Sequence, residues 1–393
     1  MSENNSEYIL VDNAEKMQLV LASLASSSKI AIDTEFVRIS TLHPIVALVQ
    51  LNDGVNTFLV DPIILPPEQM ELFWNHLTES ETLLIFFAMH EDLDLIKFYS
   101  GRLPKRVVDL QWMAGFMGLS PKLGLASLVE KILGITILKD QTTSIWMQRP
   151  LTPDQLRYGA VDVKYLIQVY DLMQHKLEEL GNDDYFQQDL QLQVETAVVP
   201  FDPRLGYLKY HADCLTAFET AKLRELVNFR QRIAEEKNIC LKHVVPNHLL
   251  IKLCQKSVRN QITLQKIGLH WKSIREYGVE LIKLLNHPPA SYDYDGILDH
   301  PIPSPECKGE LAQKLFDIFN SFADERGIDH GVMTSHKRLG ELIVYLASTS
   351  SDRQFLDYPY LLRSKWRLDL IRDVLIQYFP FEPLLRAENG KVD

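Results

Sequence analysis

The chain of 393 residues is 46% hydrophobic and 24% charged, which excludes a disordered or fibrous protein, and its length exceeds what a single core ordinarily fills. Its net charge of −11 excludes a simple polycation that coats nucleic acid, yet the charge is uneven: residues 1–200 hold 14 Lys+Arg against 27 Asp+Glu, residues 201–290 hold 15 against 8, and residues 291–393 carry −5. An acidic front and a basic middle suit an enzyme that holds cations in one domain and phosphates in the next; the plainer alternative is ordinary solvated charge.

The opening MSENNSEY is polar and acidic, without the basic start and apolar stretch of a secretory signal. Apolar runs such as residues 82–89 fall far short of the roughly 20 residues that span a bilayer. A cytoplasmic protein without a membrane span is expected. Cys214, Cys240, Cys254 and Cys307 are widely spaced and form no CxxC pair, so reduced thiols are expected rather than disulfides or structural zinc.

Residues 30–170 alternate short apolar runs with helical patterns, which predicts an α/β layer. Strands are expected at Ile30 to Phe36, Val46 to Leu51 and Val55 to Val60, the last two joined at Asn52-Asp53-Gly54, a hairpin turn. Further strands at Leu83 to Ala88 and Val107 to Asp109 alternate with apolar-periodic segments near 90–99 and 110–118. The sheet should therefore be mixed, with its first three strands antiparallel. Thr152-Pro153-Asp154-Gln155 has the cap, the first-position proline and the Gln of a capping box, and starts a helix predicted to run toward Gln174. After Asn182 the Gln-, Asp- and Pro-rich stretch through Pro203 reads as a linker.

Beyond residue 210 the periodicity is helical, and it repeats. Ala234-Glu235-Glu236-Lys237-Asn238-Ile239 aligns with Ala323-Asp324-Glu325-Arg326-Gly327-Ile328 at an offset of 89 residues, and Leu250 and Leu253 fall on Leu339 and Leu342. Two small helical domains of one kind, separated by the Pro-rich segment from Pro288 to Pro305, are expected.

Asp33 and Glu35 lie two apart in a strand, so their side chains share one face of the sheet. Two carboxylates in an apolar strand call for a neutralising partner, and a cation supplies one. Glu91-Asp92-Leu93-Asp94 opens the helix after an apolar strand, a place where acidic residues also suit the helix dipole. In Tyr158-Gly159-Ala160-Val161-Asp162 a phenol and a carboxylate share a helix face, and the small residues between them allow a close approach.

Together these three elements resemble the ribonuclease D family and the wider group of exonucleases built on four acidic residues and a tyrosine. Asp33-Thr34-Glu35-Phe36 matches that group's first motif, Asp92 with Leu93 its second, and Tyr158-x-x-x-Asp162 its third. Ser144-x-Trp146-x-x-Arg149-Pro150-Leu151 resembles ribonuclease D in particular. Before Asp92 the chain reads Phe87-Ala88-Met89-His90-Glu91, a departure from relatives that leaves Glu91 and Asp94 as alternatives for the second carboxylate. The resemblance covers nearly the whole chain. It implies an α/β, ribonuclease H-like exonuclease domain with a mixed sheet over residues 1–200 with its exit linker, then two all-α domains of the helicase-and-ribonuclease-D C-terminal (HRDC) type over 205–290 and 300–385.

The resemblance also implies a two-metal mechanism with Mg²⁺ or Mn²⁺, the ions about 4 Å apart. Asp33 would bridge them, Glu35 and Asp162 would help hold the ion that activates water, Asp92 would serve the leaving-group side, and Tyr158 would orient the nucleophile. Phe36 is the candidate wedge at the terminal base, and Arg38, His43, Trp146 and Arg149 are candidate substrate contacts. In the basic middle, Arg224, Arg230, Arg232, Lys237, Lys242, Lys252, Lys256 and Arg259 are candidates to track phosphates. The implied partner is RNA with a free 3′ end, with transfer RNA precursors the expected substrate and 5′-mononucleotides the product. Alternatives are a DNA-trimming exonuclease with the same carboxylates and a catalytically inactive RNA-binding protein.

Overall fold

A computed structural model describes residues 7–137, 145–198, 200–204, 206–210, 215–286, 309–348, 358–380, 382 and 385. Ser144, Cys214, Cys307 and the segment from Pro288 to Pro305 lie outside them. The strands are β1 (Ile9–Val11), β2 (Lys29–Val37), β3 (Ile45–Asn52), β4 (Thr57–Val60), β5 (Leu83–Phe86) and β6 (Val107–Asp109), in one sheet of order β1-β4-β3-β2-β5-β6. β2, β3 and β4 form the expected antiparallel meander, and β1, β5 and β6 join in parallel, so the sheet is mixed. All of β3 except Ile45 is buried, which explains its nearly continuous apolar run: helices cover both faces.

β1 has only three residues, too few to show an alternating pattern, and was not anticipated. The Asp-Gly turn is present, but the loop is longer than the hairpin reading assumed. Asp53 Oδ1 accepts hydrogen bonds from the Val55 and Asn56 amides and Gly54 adopts φ +91°, so β4 starts at Thr57 rather than Val55.

Around the sheet pack α1 (Ala14–Ser26), α2 (Pro67–Glu79), α3 (His90–Ser100), α4 (Leu110–Phe116), α5 (Leu125–Leu133), α6 (Pro153–Lys164), α7 (Leu166–Leu180) and α8 (Asp183–Ala197). The Thr152 capping box forms as expected. The helix it starts does not reach Gln174, however. The chain breaks at Tyr165, between α6, which lies over β2, β3 and β4, and α7, which packs on β2, β5, α4 and α5. The stretch after Asn182 also departs from the linker reading: α8 buries Phe186, Asp189 and Leu190, and its Gln residues lie mainly on the outward face.

The first helical unit comprises α9 (Ala217–Lys237), α10 (Leu241–Val244), α11 (Asn247–Gln255), α12 (Gln261–Ile267) and α13 (Trp271–Asn286), around a core of its own that includes Leu226, Leu250 and Leu281. α14 (Glu310–Arg326), α15 (His330–Met333), α16 (His336–Ala347), the turn Tyr360–Arg363 and the helix Lys365–Tyr378 repeat this long, short, medium, short, long succession. The aligned hexapeptides do the same structural job. Asn238 (φ +45°) and Gly327 (φ +63°) end the long helices in left-handed geometry, and the amides of Ile239 and Ile328 close onto the Ala234 and Ala323 carbonyls.

The next residue in each repeat docks on the α/β domain. The Cys240 amide donates to the Ser40 carbonyl and the Asp329 amide to the Gly115 carbonyl, each at 2.8 Å, with donors 89 positions apart. The two dockings differ in depth. Leu315, Phe319, Val332, Leu339 and Ile371 belong to the same continuous core as the sheet domain. α4 carries Gly115 where a Cβ would stand 2.2 Å from Val332 Cγ1. Asn182 Nδ2 donates to the carbonyls of both Phe116 and Arg326. Arg367 forms a fully buried, two-pronged pair with Asp189 of α8, and its remaining donors go to Val332 O, Met333 O and Ser364 Oγ. Among the described residues no helix is long and apolar enough to cross a membrane, and Cys240 and Cys254 are free thiols.

Candidate active site

β2 lies inside the sheet, antiparallel to β3 and parallel to β5. Asp33 stands opposite Gln50 and Glu35 opposite Leu48, so these four side chains share the face that α6 covers. A bulge between Glu35 and Phe36 alters the register at the end of the motif. Gly159 lets α6 come down on this face, since a Cβ there would meet Leu48 Cδ2 at 3.1 Å and Gln50 Cγ at 3.3 Å. The close approach that the small residues permit is thus to β3, and it brings Tyr158 and Asp162 over the acidic strand. One carboxylate oxygen each from Asp33, Glu35 and Asp162 lies within 4.8 Å of the others. The Tyr158 phenol lies close enough to Asp162 for each to shift the other's pKa.

Asp92 arrives by another route. β5 pairs with β2 only from Lys29 to Ala31, so the far end of β2 has a free edge. The chain leaving β5 turns through Ala88, a left-handed residue at φ +65°, into α3. Asp109 holds this turn by accepting from the amides of Ala88 and Met89 while capping α4 through Gln111 N. Asp92 is thereby buried against β2 and accepts a hydrogen bond from Thr34 Oγ1. Glu91 is exposed, and Asp94 pairs with Arg38 at the surface. Of the three acidic residues only Asp92 is buried beside the cluster, although it lies outside the 4.8 Å trio.

Electrostatics single out the same residues. Burial, reinforced by Asp33, Asp162 and Asp92, pushes the Glu35 carboxyl up to about 8. Burial next to Asp33 raises Asp162 to about 8, and burial raises Asp33 to about 6. Asp92 is also raised, by burial and then by Asp33, while the Thr34 hydroxyl opposes the shift. The Tyr158 phenol is pushed upward by burial and by the surrounding carboxylates and stays protonated. Carboxylates held together against their own repulsion form an all-oxygen set of hard donors, which fits Mg²⁺ or Mn²⁺. Gln50 points the same way: its amide is fully buried beside Asp33, and neither its nitrogen nor its oxygen has a hydrogen-bond partner among the described residues.

Residues 8–178 match a family model described as 3′-5′ exonuclease, and residues 219–285 match the HRDC domain model. Ribonuclease D of Haemophilus influenzae is 30% identical over 86% of this chain and 85% of its own length; that of Pseudomonas paraeruginosa is 31% identical over 80% and 83%. The chain belongs to the ribonuclease D family. The crystal structure of Escherichia coli RNase D, an exoribonuclease involved in structured RNA processing, shares the fold. It superposes with a TM-score of 0.81 at 24% identity, covering 95% of this chain and 99% of that one.

Within this ribonuclease D framework the remaining candidates divide by what they touch. Phe36 follows the bulge beside Glu35, half-buried against the core. The His43 ring stacks on Phe98 with centroids 4.1 Å apart, and its amide donates to Asn238 Oδ1 of the first helical unit. Arg149 is not a free cation for substrate. Its five donors go to the Asp61 carboxylate and to the carbonyls of Ala47, Trp146 and Gln148. That buried clamp fastens the segment ahead of α6 to β3. Trp146 is buried with its ring centroid 6.0 Å from that of Tyr158, so it supports the phenol from behind.

Half of the basic candidates in the middle region are also committed within the fold. Arg230 is buried and bonded to Val245 O, Asn247 and Tyr210; Arg224, Arg232 and Lys237 pair with glutamates. Lys242, Lys252, Lys256 and Arg259 remain exposed. Sequence reasoning missed Thr34, Asp109 and Gln50. Thr34 lay inside the recognised motif, and Asp109 preceded a helix with the signature of a cap, whereas Gln50 had no local signal.

Proposed function

We propose that this chain removes nucleotides one at a time from the 3′ end of RNA and releases 5′-mononucleotides, using two divalent cations, Mg²⁺ or Mn²⁺. The observation that carries this reading is the meeting of Asp33, Glu35 and Asp162 within 4.8 Å, with the Tyr158 phenol beside them. Asp33, Glu35, Asp162 and Asp92 would hold the cations, which when bound lower the pKa of water and stabilise the charge that develops on a phosphodiester during in-line displacement.

The side chains around that set have separate tasks. Tyr158 stays neutral and places the attacking water by hydrogen bonding, while Trp146 keeps its ring in position. Thr34 fixes the rotamer of Asp92. Phe36 is placed to wedge the terminal base, with Arg38 and His43 further along the same loop. Arg149 contributes by holding the segment before α6.

Family membership and the structured-RNA role named for the Escherichia coli relative support transfer RNA precursors as substrates. The HRDC match at 219–285 and the repeated helical succession support two HRDC-like domains at 205–290 and 300–385 behind a nuclease domain that ends near residue 200. Incubating the protein with 3′-extended transfer RNA, with and without Mg²⁺, tests the reading. Metal-dependent release of 5′-mononucleotides from the 3′ end is expected. Products starting from the 5′ end, or a marked preference for matched DNA single strands, would overturn it.

A further inference from the structure

The first helical unit carries its charge asymmetrically. The 39 residues between Glu236 and Glu276 contain eight Lys+Arg and no Asp or Glu. Arg224 and Arg232 of α9 pair with glutamates and Arg230 is buried within the unit, whereas Lys242 and Lys272 are exposed and make no ion pair within 4 Å among the described residues, Glu276 acting on Lys272 only at longer range. Near the end of this stretch stands Trp271, 57% exposed, with the Arg275 guanidinium 4.9 Å from its ring centroid and the His270 ring 5.7 Å away. A large indole left in water with a guanidinium over its ring, at the end of a stretch that holds eight cations before Glu276, has the make-up of a nucleic-acid stacking platform.

Its position relative to the carboxylates supports the same use. Ser273 Oγ donates to the His243 carbonyl, which brings the start of α13, with Trp271 and Lys272, against α10, the helix of Lys242. α10 begins next to Cys240, whose amide is bonded to Ser40 O, and Asn238 holds the His43 amide. Residues 38–44 are the loop leaving β2, the strand of Asp33 and Glu35. A continuous run of direct contacts therefore joins the acidic strand to the basic aromatic edge. Negative groups dominate the first location and positive groups the second, as a polyanion delivered to bound cations requires.

We propose that this edge is the track for the RNA strand behind the end being cut: a base upstream of the 3′ terminus stacks on Trp271, and Lys242, Lys272 and Arg275 hold the adjoining phosphates. This rests on the exoribonuclease reading above and adds to it a second, non-catalytic RNA contact that short substrates cannot reach.

The test uses the full chain, a 20-nucleotide single-stranded RNA and a 4-nucleotide RNA. With chelator present, Trp271→Ala weakens binding of the 20-mer roughly tenfold, as expected for a lost base stack, and Trp271→Phe restores most of it. Lys242→Gln with Lys272→Gln lowers the slope of log Kd against log salt by about 1.4, two single-strand phosphates at about 0.7 each. With Mg²⁺ present, Trp271→Ala raises KM for the 20-mer and leaves turnover of the 4-mer unchanged. The track is refuted if Trp271→Ala binds the 20-mer like the wild type, or if it loses activity equally on both lengths. Should the wild type degrade neither RNA, the exoribonuclease reading fails, and the chelated binding data still decide the track.

Discussion

Thr34 Oγ1 donates a 2.5 Å hydrogen bond to Asp92 Oδ1, joining the middle residue of the strand motif to a helix carboxylate 58 residues later. Thr34 points away from the Asp33 and Glu35 face, yet it selects the fourth acidic side chain. Thr34→Val keeps the shape and removes the donor. Metal-dependent activity should fall about 10- to 100-fold, the usual cost of losing a partner that orients a metal ligand, and Thr34→Ser should recover most of it. Unchanged steady-state kinetics in Thr34→Val would separate Asp92 from the chemistry.

The raised carboxyls predict how the metal-free protein responds to pH. Asp33, Glu35 and Asp162 titrate at about 6, 8 and 8 in the fold, above their ordinary values. Between about pH 4 and pH 8 the folded state therefore holds protons that the unfolded chain has released, and stability falls as pH rises. Thermal melts in chelator should shift downward across this window. Saturating Mg²⁺ should flatten the trend, because the cations favour the ionised forms, and its binding should release protons. A metal-free melting temperature that climbs toward pH 8 would contradict the clustering.

Asp33→Asn separates stability from activity. It removes a charge from a crowded, desolvated site, so the chelated protein should melt at a higher temperature than the wild type. Activity with Mg²⁺ should fall by at least about 100-fold, because losing a ligand costs more than losing a residue behind it. Lower stability together with retained hydrolysis would place Asp33 outside the metal site.

Tyr158→Phe deletes one hydroxyl and keeps the ring beside Trp146. Melting temperature and metal affinity should remain near wild type while kcat drops about 10- to 100-fold. A change confined to KM would assign Tyr158 to substrate binding instead of water placement.

The Arg367–Asp189 pair predicts cooperative unfolding of the last helical unit with the α/β domain. Both partners are fully buried, so Arg367→Met alone leaves an uncompensated carboxylate and should cost about 3–5 kcal/mol. Adding Asp189→Leu should recover much of that loss. Denaturant titrations followed by fluorescence and by circular dichroism check it, and two separate transitions in the wild type would show that the shared core does not couple the units.

Much of the site could be read along the chain because each motif depends on short-range geometry. Asp33 and Glu35 share a sheet face through the two-residue period of a strand, and Tyr158 and Asp162 share a helix face through near-integral turns. The capping box at Thr152 and the repeat at Ala234 and Ala323 are likewise local patterns that the structure preserves. Tyr165 was harder to interpret, since apolar periodicity continues through it while the helices on either side pack on partly different neighbours. α8 was missed for a related reason: its Gln residues imitate a linker while Phe186, Asp189 and Leu190 face inward.

Backbone periodicity and residue chemistry by themselves determined which groups share a face, and so determined the acidic strand, the tyrosine helix and the paired helical units. Only the tertiary structure decided that Asp92 rather than Glu91 or Asp94 turns inward, that Arg149 is used up on Asp61 and nearby carbonyls, and that Arg224 and Arg232 pair with glutamates and Arg230 is buried while Trp271 stays exposed. The reason is physical. A side chain's direction follows from its neighbours in the chain, but its partner follows from where distant elements pack, and burial, pKa and freedom to bind a ligand all depend on that partner.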